Sequence, residues 1–394
     1  MSKLSYQQLF AACEPGGASA LSVITELAPA GGSHAAITPA PYLVGSGTAA
    51  FAYEARFIDG ESTAVVIIDQ RQSQVNRVET AILRGIRDQH PVLGRVPRVQ
   101  VSYDGGRIVY TDLELRQRVY DNHILAGAVD GKPAVSHPLY RTARDCSPEN
   151  ARSLLELSPG SLVFGSWDST RPARQSRYRG ALVGEIIGVL VDQRNGIPRR
   201  DRGGAQVPAG GDELAGPGDE LSPDLIRSME GAAVAAGAVS CSRIIRTQVL
   251  SFAALRQLRF DSGPVGDAAC RVLLAAYALA GVARANAELS IRANCDLVEV
   301  APTSVKLDAR DGEFVDLAAL SIEEADELLE LALDEAHREA DITWRGQVLK
   351  VTGNPAVQAA ARSGGSASQG TVTHPQRRFR LPHFIESRRS ALRD

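Results

Sequence analysis

The sequence predicts an α+β fold, and three observations carry that prediction. Thr63–Arg87 reads as a buried strand that runs straight into an amphipathic helix. Asp104-Gly105-Gly106 lies between two strand-like segments and signals a β-hairpin. Two helical patterns, Asp267–Arg284 and one opened by Ser321, come late in the chain.

In order, Ser5–Phe10 suits a short helix and Ala20–Leu27 a first strand with a β-branched centre. Pro29–Gly47 is a Gly/Pro/Ala loop too long for a plain connection, and loops of that length usually carry function. Its Gly45-x-Gly47 is a poor dinucleotide fingerprint, because no strand leads into it. Val65, Val66, Ile67 and Ile68 form a β-branched run that suits a strand covered on both faces. Asp69 is the expected cap of the following helix, with Gln72 completing a capping box. Val75, Val78, Ile82 and Ile86 give that helix its core side.

Arg98–Tyr103 and Arg107–Thr111 are the hairpin strands, and Pro148–Leu157 is a helix. A second strand-to-helix unit is expected in Ser161–Gly165 followed by Tyr178–Val191, where Leu182, Ile186, Val189 and Leu190 form an apolar stripe. Asn195–Pro223 is a Gly/Pro-rich insertion. Ile244–Leu250 is a strand, Phe252–Phe260 a helix, and Leu289–Val300 a closing strand. Ser321 and Glu324 form a capping box. Ile322, Ala325, Leu329 and Ala332 then face inward, while Glu323, Asp326, Glu327, Glu330 and Asp334 face water. Ser363–Gln369 is a joint before a tail in which Arg377, Arg378, Arg380, Arg388 and Arg389 interleave with Phe379 and Phe384.

Composition narrows the function classes. The 394 residues carry a net charge of −3, so bulk charge does not mark a nucleic-acid protein. Lys3, Lys132, Lys306 and Lys350 are the only lysines, which makes the positive surface one of arginine forks suited to phosphate. A GC-rich genome accounts for the same bias. The five cysteines form no C-x-x-C pair, which points away from a zinc ribbon or a disulfide framework and toward a reducing cytoplasm. The apolar stretch Cys270–Ala283 is interrupted by Arg271 and too short to span a bilayer. A soluble, cytoplasmic protein is expected.

Two polar clusters stand out. Gln70, Arg71, Gln72, Ser73, Gln74, Asn76 and Arg77 crowd the first two turns of the helix after Asp69, where free N–H groups and an arginine fork suit a sugar-phosphate backbone. A capped surface helix accounts for the same residues. Arg171, Arg174, Arg177 and Arg179 lie beside Trp167 and Tyr178, a pattern that suits single-stranded nucleic acid. An exposed arginine loop with a core tryptophan is the alternative. No P-loop, H-E-x-x-H or G-x-S-x-G is present, and the seven histidines have no metal-ligand spacing. Asp145 and Asp168 lie near arginines, where a turn or salt-bridge role competes with a base or a metal ligand.

Certain motifs resemble a known family. They are Gln72-Ser73-Gln74 with Asn76-Arg77-x-Glu79, Phe164-Gly165-Ser166-Trp167-Asp168-Ser169-Thr170, and Val249-Leu250-Ser251-Phe252 with the following Ala-Ala-Leu-Arg. With the Pro29-Ala30-Gly31-Gly32 loop, they run in the order found in the guide-RNA-binding backbone subunit of type I-G (formerly I-U) CRISPR surveillance complexes. That family belongs to the RAMP superfamily. Where it tends to carry a lysine in the early loop, this chain has His34.

The resemblance implies a modified RRM (ferredoxin-like) βαββαβ palm with long thumb and web insertions. The palm elements would be the first strand, the first helix, the hairpin, Asp267–Arg284 and Leu289–Val300. The implied domains are a palm over 1–300 with an insert about 195–223, a helical element over 301–362, and a basic tail over 363–394. The implied function is non-catalytic. Copies of the chain polymerise along guide RNA in the Cascade ribonucleoprotein, grip its backbone without reading sequence, and present bases for pairing to target DNA. Gln70, Ser73, Gln74, Asn76 and Arg77 would form one wall, and Trp167, Arg171, Arg174, Arg177 and Arg179 the other. Implied partners are guide RNA, target DNA, further copies of the chain in a helical filament, a large subunit and a small RAMP subunit. No cofactor, metal or membrane is implied. Two other readings stay open. One is a type III-like RAMP endoribonuclease using Asp145 or Asp168 with a divalent metal. The other is a cytosolic small-molecule enzyme with an arginine-lined pocket.

Overall fold

A reciprocal Ser5–Gln8 capping box starts the first helix, α1 (Tyr6–Cys13), and β1 (Ala20–Pro29) follows. The computed structural model describes residues 2–44, 48–171, 177–191, 199–200 and 237–362. Gly45-x-Gly47, Arg174, the tail from Ser363 onward and the Asn195–Pro223 insertion, apart from Arg199–Arg200, lie outside the described residues. The chain divides into two units, Met1–Asn354 and Pro355–Asp394. In the second, the described element is a helix over Pro355–Arg362.

After β1 come β2 (Tyr53–Ile58), β3 (Glu61–Asp69) and α2 (Arg71–Arg87). Then follow β4 (Arg98–Tyr103), β5 (Ile108–Thr111), α3 (Pro138–Arg144) and α4 (Pro159–Val163). The short pair β6 (Ser166–Trp167) and β7 (Arg177–Tyr178) leads to β8 (Leu182–Leu190) and β9 (Cys241–Ser251). The remaining elements of the first unit are α5 (Gly263–Ala287), β10 (Leu297–Glu299), β11 (Ser304–Arg310), β12 (Glu313–Leu317), α6 (Ile322–Ala340) and β13 (Val348–Thr352).

The α+β expectation holds. The main sheet runs β12-β11-β1-β9-β8-β3-β2, with β10 also on β1, and its paired strands are antiparallel. At its centre β1, β8, β9 and β11 lie in the order β11-β1-β9-β8, with α2 between β1 and β8 in sequence and α5 between β9 and β11. Register fixes which side chains share a face: Ile24 lies opposite Thr247, and Thr25 opposite Arg246.

Four readings of strands need correction. The Asp104–Gly106 hairpin forms, but β4 and β5 belong to a second sheet, where β4 pairs in parallel with β13. The central β-hairpin is therefore β8–β9, separated by the insertion. Tyr178–Val191 is not a helix but leads into and forms β8. Gly184 and Gly188 weaken a helix there, and the β-branched run covered on both faces settles as a central strand. Ser161–Gly165 is not a strand: Pro159 opens α4 across most of it, because a short apolar run has no periodicity to separate the two. In Leu289–Val300 only Leu297–Glu299 is strand, and the strand that closes the sheet on β1 is β11. The carbonyls of Ser290 and Ile291 instead accept hydrogen bonds from Arg77, which holds that stretch irregular.

Helices α2 and α5 pack closely because Gly281 lacks a side chain. A Cβ there would stand 2.7 Å from both Val78 and Ile82. Helix α5 is long and apolar enough to cross a membrane by length and composition, yet 94 % of its apolar window is buried inside the protein. In α6 the Ser321–Glu324 capping box forms as read. Asp326 differs: it turns inward and takes a bidentate Arg284 guanidinium at 2.7 Å on each oxygen.

Asp112 is 1 % exposed, accepting from the Val99 amide and the Ser158 hydroxyl, and burial pushes its carboxyl up to about 7. A carboxyl raised on folding stays protonated in the native chain while the unfolded chain ionises. Stability therefore falls as pH climbs from the ordinary value of 3.8 through about 7. The gap corresponds to roughly 4 kcal/mol. Asp112→Asn is expected to remove that component, so variant and parent unfolding curves should converge near pH 4 and separate toward pH 7. Parallel pH profiles for the two chains would refute the assignment.

Candidate nucleic-acid interface

The first cluster is organised by Asp69, at the buried end of β3. Its carboxylate is fully buried, and it does not cap α2 as the sequence suggested; Gln70 is the N-cap, without a side-chain cap bond. Instead the carboxylate accepts from Gln74 Nε2 at 2.6 Å, Arg77 Nε at 2.9 Å and Arg292 at 3.2 Å. A buried carboxylate is costly unless cations and donors surround it, and these partners outweigh one backbone N–H. Arg77 also donates to the carbonyls of Ser290 and Ile291, so its fork ties α2 to the segment after α5.

This network sorts the predicted residues. Gln74 is 3 % exposed and turned toward Asp69, and Arg77 is half-buried in the same clamp. Gln70 and Asn76 are exposed, and Ser73 is half-buried. Gln72 donates to Asn76 Oδ1 at 2.8 Å along the outer face of the helix. Arg71 projects at the first helical position with 69 % of its side chain exposed, 3.5 Å from Glu185 of β8.

The second cluster sits on a small antiparallel pair, with Trp167 opposite Arg177. The arginine run precedes a strand, so no helix N-terminus contributes its partial charge there. Arg177 lies 4.4 Å over the Trp167 ring, a cation–π contact that covers one ring face while the arginine stays exposed. Arg179 is exposed and has no side-chain partner among the described residues. Arg171 is held by Asp145 at 2.6 Å and by the Arg144 carbonyl.

Asp168 is fully buried. Burial raises its pKa, but hydrogen bonds from Arg144 and Thr170 outweigh that and hold the carboxyl below its usual range. Arg144 bridges Asp168 at 2.8 Å and Thr170 at 2.7 Å, so α3 fixes the base of this loop. Among the described residues no group of three or more His, Cys, Asp or Glu is placed to hold a metal ion.

A third feature joins the two clusters. Glu79 of α2 and Arg118 form a buried bidentate pair at 2.6 and 2.8 Å, and the third Arg118 nitrogen donates to the Gly165 carbonyl at 2.5 Å. Arg118 adopts a left-handed backbone, φ 50°, and Gly165 sits at φ 87°, where its missing side chain lets Gly180 approach. One guanidinium thus links the helix bearing Asn76 to the turn that enters Trp167. Only Glu79 stood out in the motif. Arg118, Arg144 and Arg292 are remote in sequence from their partners, and no local pattern marks them.

Residues 21–193 match the family model for CRISPR-associated protein GSU0053, a segment that begins in β1 and ends just past β8. No curated protein matches the chain.

Proposed function

We propose, from the match of residues 21–193 to a CRISPR-associated family model, that the chain acts in CRISPR defence as a non-catalytic backbone subunit that binds guide RNA. In this reading the chain grips the sugar-phosphate backbone without sequence preference, repeats along the guide within a type I effector complex, and leaves bases free for target DNA. The family match is the observation that carries it.

Three structural features support it. The β1–α2–β8–β9–α5–β11 succession with strand order β11-β1-β9-β8 is compatible with the proposed RRM-like palm. An RRM that reads bases stacks them on aromatics of its open sheet face. Over its three central strands that face presents Ser22, Ile24 and Glu26 of β1, Thr247 and Val249 of β9, and Val183 and Glu185 of β8, with no aromatic among them. The three central strands thus offer no base-stacking platform; the aromatics on that side lie toward its edges, Tyr42 packed against Ile67 and Ile187, and Phe314 of β12 beneath Lys306. Exposed amides and arginines at Gln70, Arg71, Asn76, Arg177 and Arg179 suit phosphate and sugar instead.

The test is titration of the chain with guide-length RNAs of unrelated sequence at several salt concentrations. Dissociation constants should agree within a few-fold and weaken steeply with salt. Discrimination beyond tenfold, or no binding, would count against the proposal. In the assembled complex, labelled complementary RNA should survive Mg²⁺. Regularly spaced fragments would instead favour the endoribonuclease reading, for which Asp168 offers little, since Arg144 and Thr170 occupy its oxygens.

A further inference from the structure

We propose that the cleft bounded by β1, β11, the end of α5 and the start of α6 is a docking site for a basic, apolar protein segment. This goes beyond the RNA reading and does not depend on it. The cleft has a volume of about 770 Å³, within the roughly 300–1,000 Å³ typical of ligand-sized pockets. Leu21 and Val23 of β1, Val305 of β11 and Leu279 and Val282 of α5 give it an apolar wall.

The cleft stays open because of where α5 is anchored. Gly281 seats α5 against α2, and Asn286 exchanges paired amide hydrogen bonds with Gln248 of β9 at 2.9 Å each. Those contacts hold the helix end over the middle of the sheet. Leu320 and Ile322, at the entry to α6, form the opposite lip.

Charge selects the occupant. Glu288, Glu299 and Glu323 line the cleft and are exposed, and no described arginine, lysine or histidine lines it. Glu299 is partly matched from behind by Arg246, which is 1 % exposed and lies 2.8 Å away. Glu288 and Glu323 have no basic side chain paired to them among the described residues. Glu288 and Glu323, unpaired, and Glu299, only partly matched, repel a phosphate backbone, so RNA is disfavoured here. They attract arginine or lysine, while the apolar wall accepts a large aliphatic or aromatic anchor, the arrangement of a peptide-binding groove. The occupant is therefore a protein segment in which such an anchor is flanked by positive charge.

The test uses a random peptide library displayed on phage and selected against the full-length chain. Selected peptides are then synthesised and measured by fluorescence anisotropy. Two variants report on the site: Ala319→Trp, which fills the cleft from an exposed position, and Glu288→Lys with Glu323→Lys, which reverses the rim. Selection is expected to enrich arginine or lysine beside leucine, isoleucine or phenylalanine, with binding at least about tenfold weaker on both variants. Guide-RNA affinity should stay unchanged in Ala319→Trp, which alters no charge, so this result is separable from that of the RNA titration. Peptides without positive charge, peptides that bind Ala319→Trp as well as the parent, or peptides displaced by guide RNA would each overturn the proposal, as would selection that enriches nothing.

Discussion

Arg118→Ala is expected to lower the unfolding free energy by about 3–5 kcal/mol, read as a shift in denaturant midpoint at constant slope. The loss is this large because of what remains behind. Glu79 is 3 % exposed, and burial already raises its pKa against the pull of Arg118. Without the guanidinium the carboxylate has no cation within the core and must take up a proton at neutral pH. The variant should therefore lose less stability near pH 5 than near pH 8, because the proton is easier to acquire at low pH. The Gly165 carbonyl loses its partner too, and with it the tie to the Trp167 turn. Glu79→Leu combined with Arg118→Met should recover most of the loss, since an apolar pair asks for no desolvation of charge. If the single variant costs no more than the ~1 kcal/mol typical of a surface ion pair, the pair is not the brace described here.

Local pattern carried the sequence reading wherever one element's own residues decide its state. The β-branched Val65–Ile68 run and the 3.6-residue spacing of Val75, Val78, Ile82 and Ile86 gave β3 and α2 nearly to their ends. The Ser321–Glu324 box gave the start of α6. Failures came where distant partners decide. Leu182, Ile186, Val189 and Leu190 fit a helical stripe, but β9 and β3 pair with that segment from either side and make it a strand. The Asp104–Gly106 turn was legible, yet its sheet was not, because its parallel partner β13 lies far along the chain. At the candidate site the residue types were legible and their duties were not. Gln74 and Arg77 read as ligand-facing, whereas the buried Asp69 carboxylate claims both, a demand set by Arg292 and the fold rather than by the helix start.

That distinction governs which arginines should be tested on RNA. Reversing Arg77 would break the Asp69 clamp and confound binding with folding, whereas Arg177 and Arg179 are exposed and no described carboxylate pairs with either. Arg177→Glu with Arg179→Glu is expected to weaken guide-RNA binding on the order of a hundredfold while leaving the unfolding midpoint close to the parent's. The fold should tolerate the pair, because the stack of Arg177 on Trp167 is worth only about 0.5–1 kcal/mol at an exposed site. The slope of log affinity against log salt should fall by roughly 1.4, as two single-strand phosphate contacts at about 0.7 each are lost. Arg107→Glu with Arg345→Glu, both exposed, imposes the same change in net charge elsewhere. If that control weakens RNA binding as much as the test pair does, the effect is one of overall charge, and the turn at Trp167 is not a wall of the RNA channel.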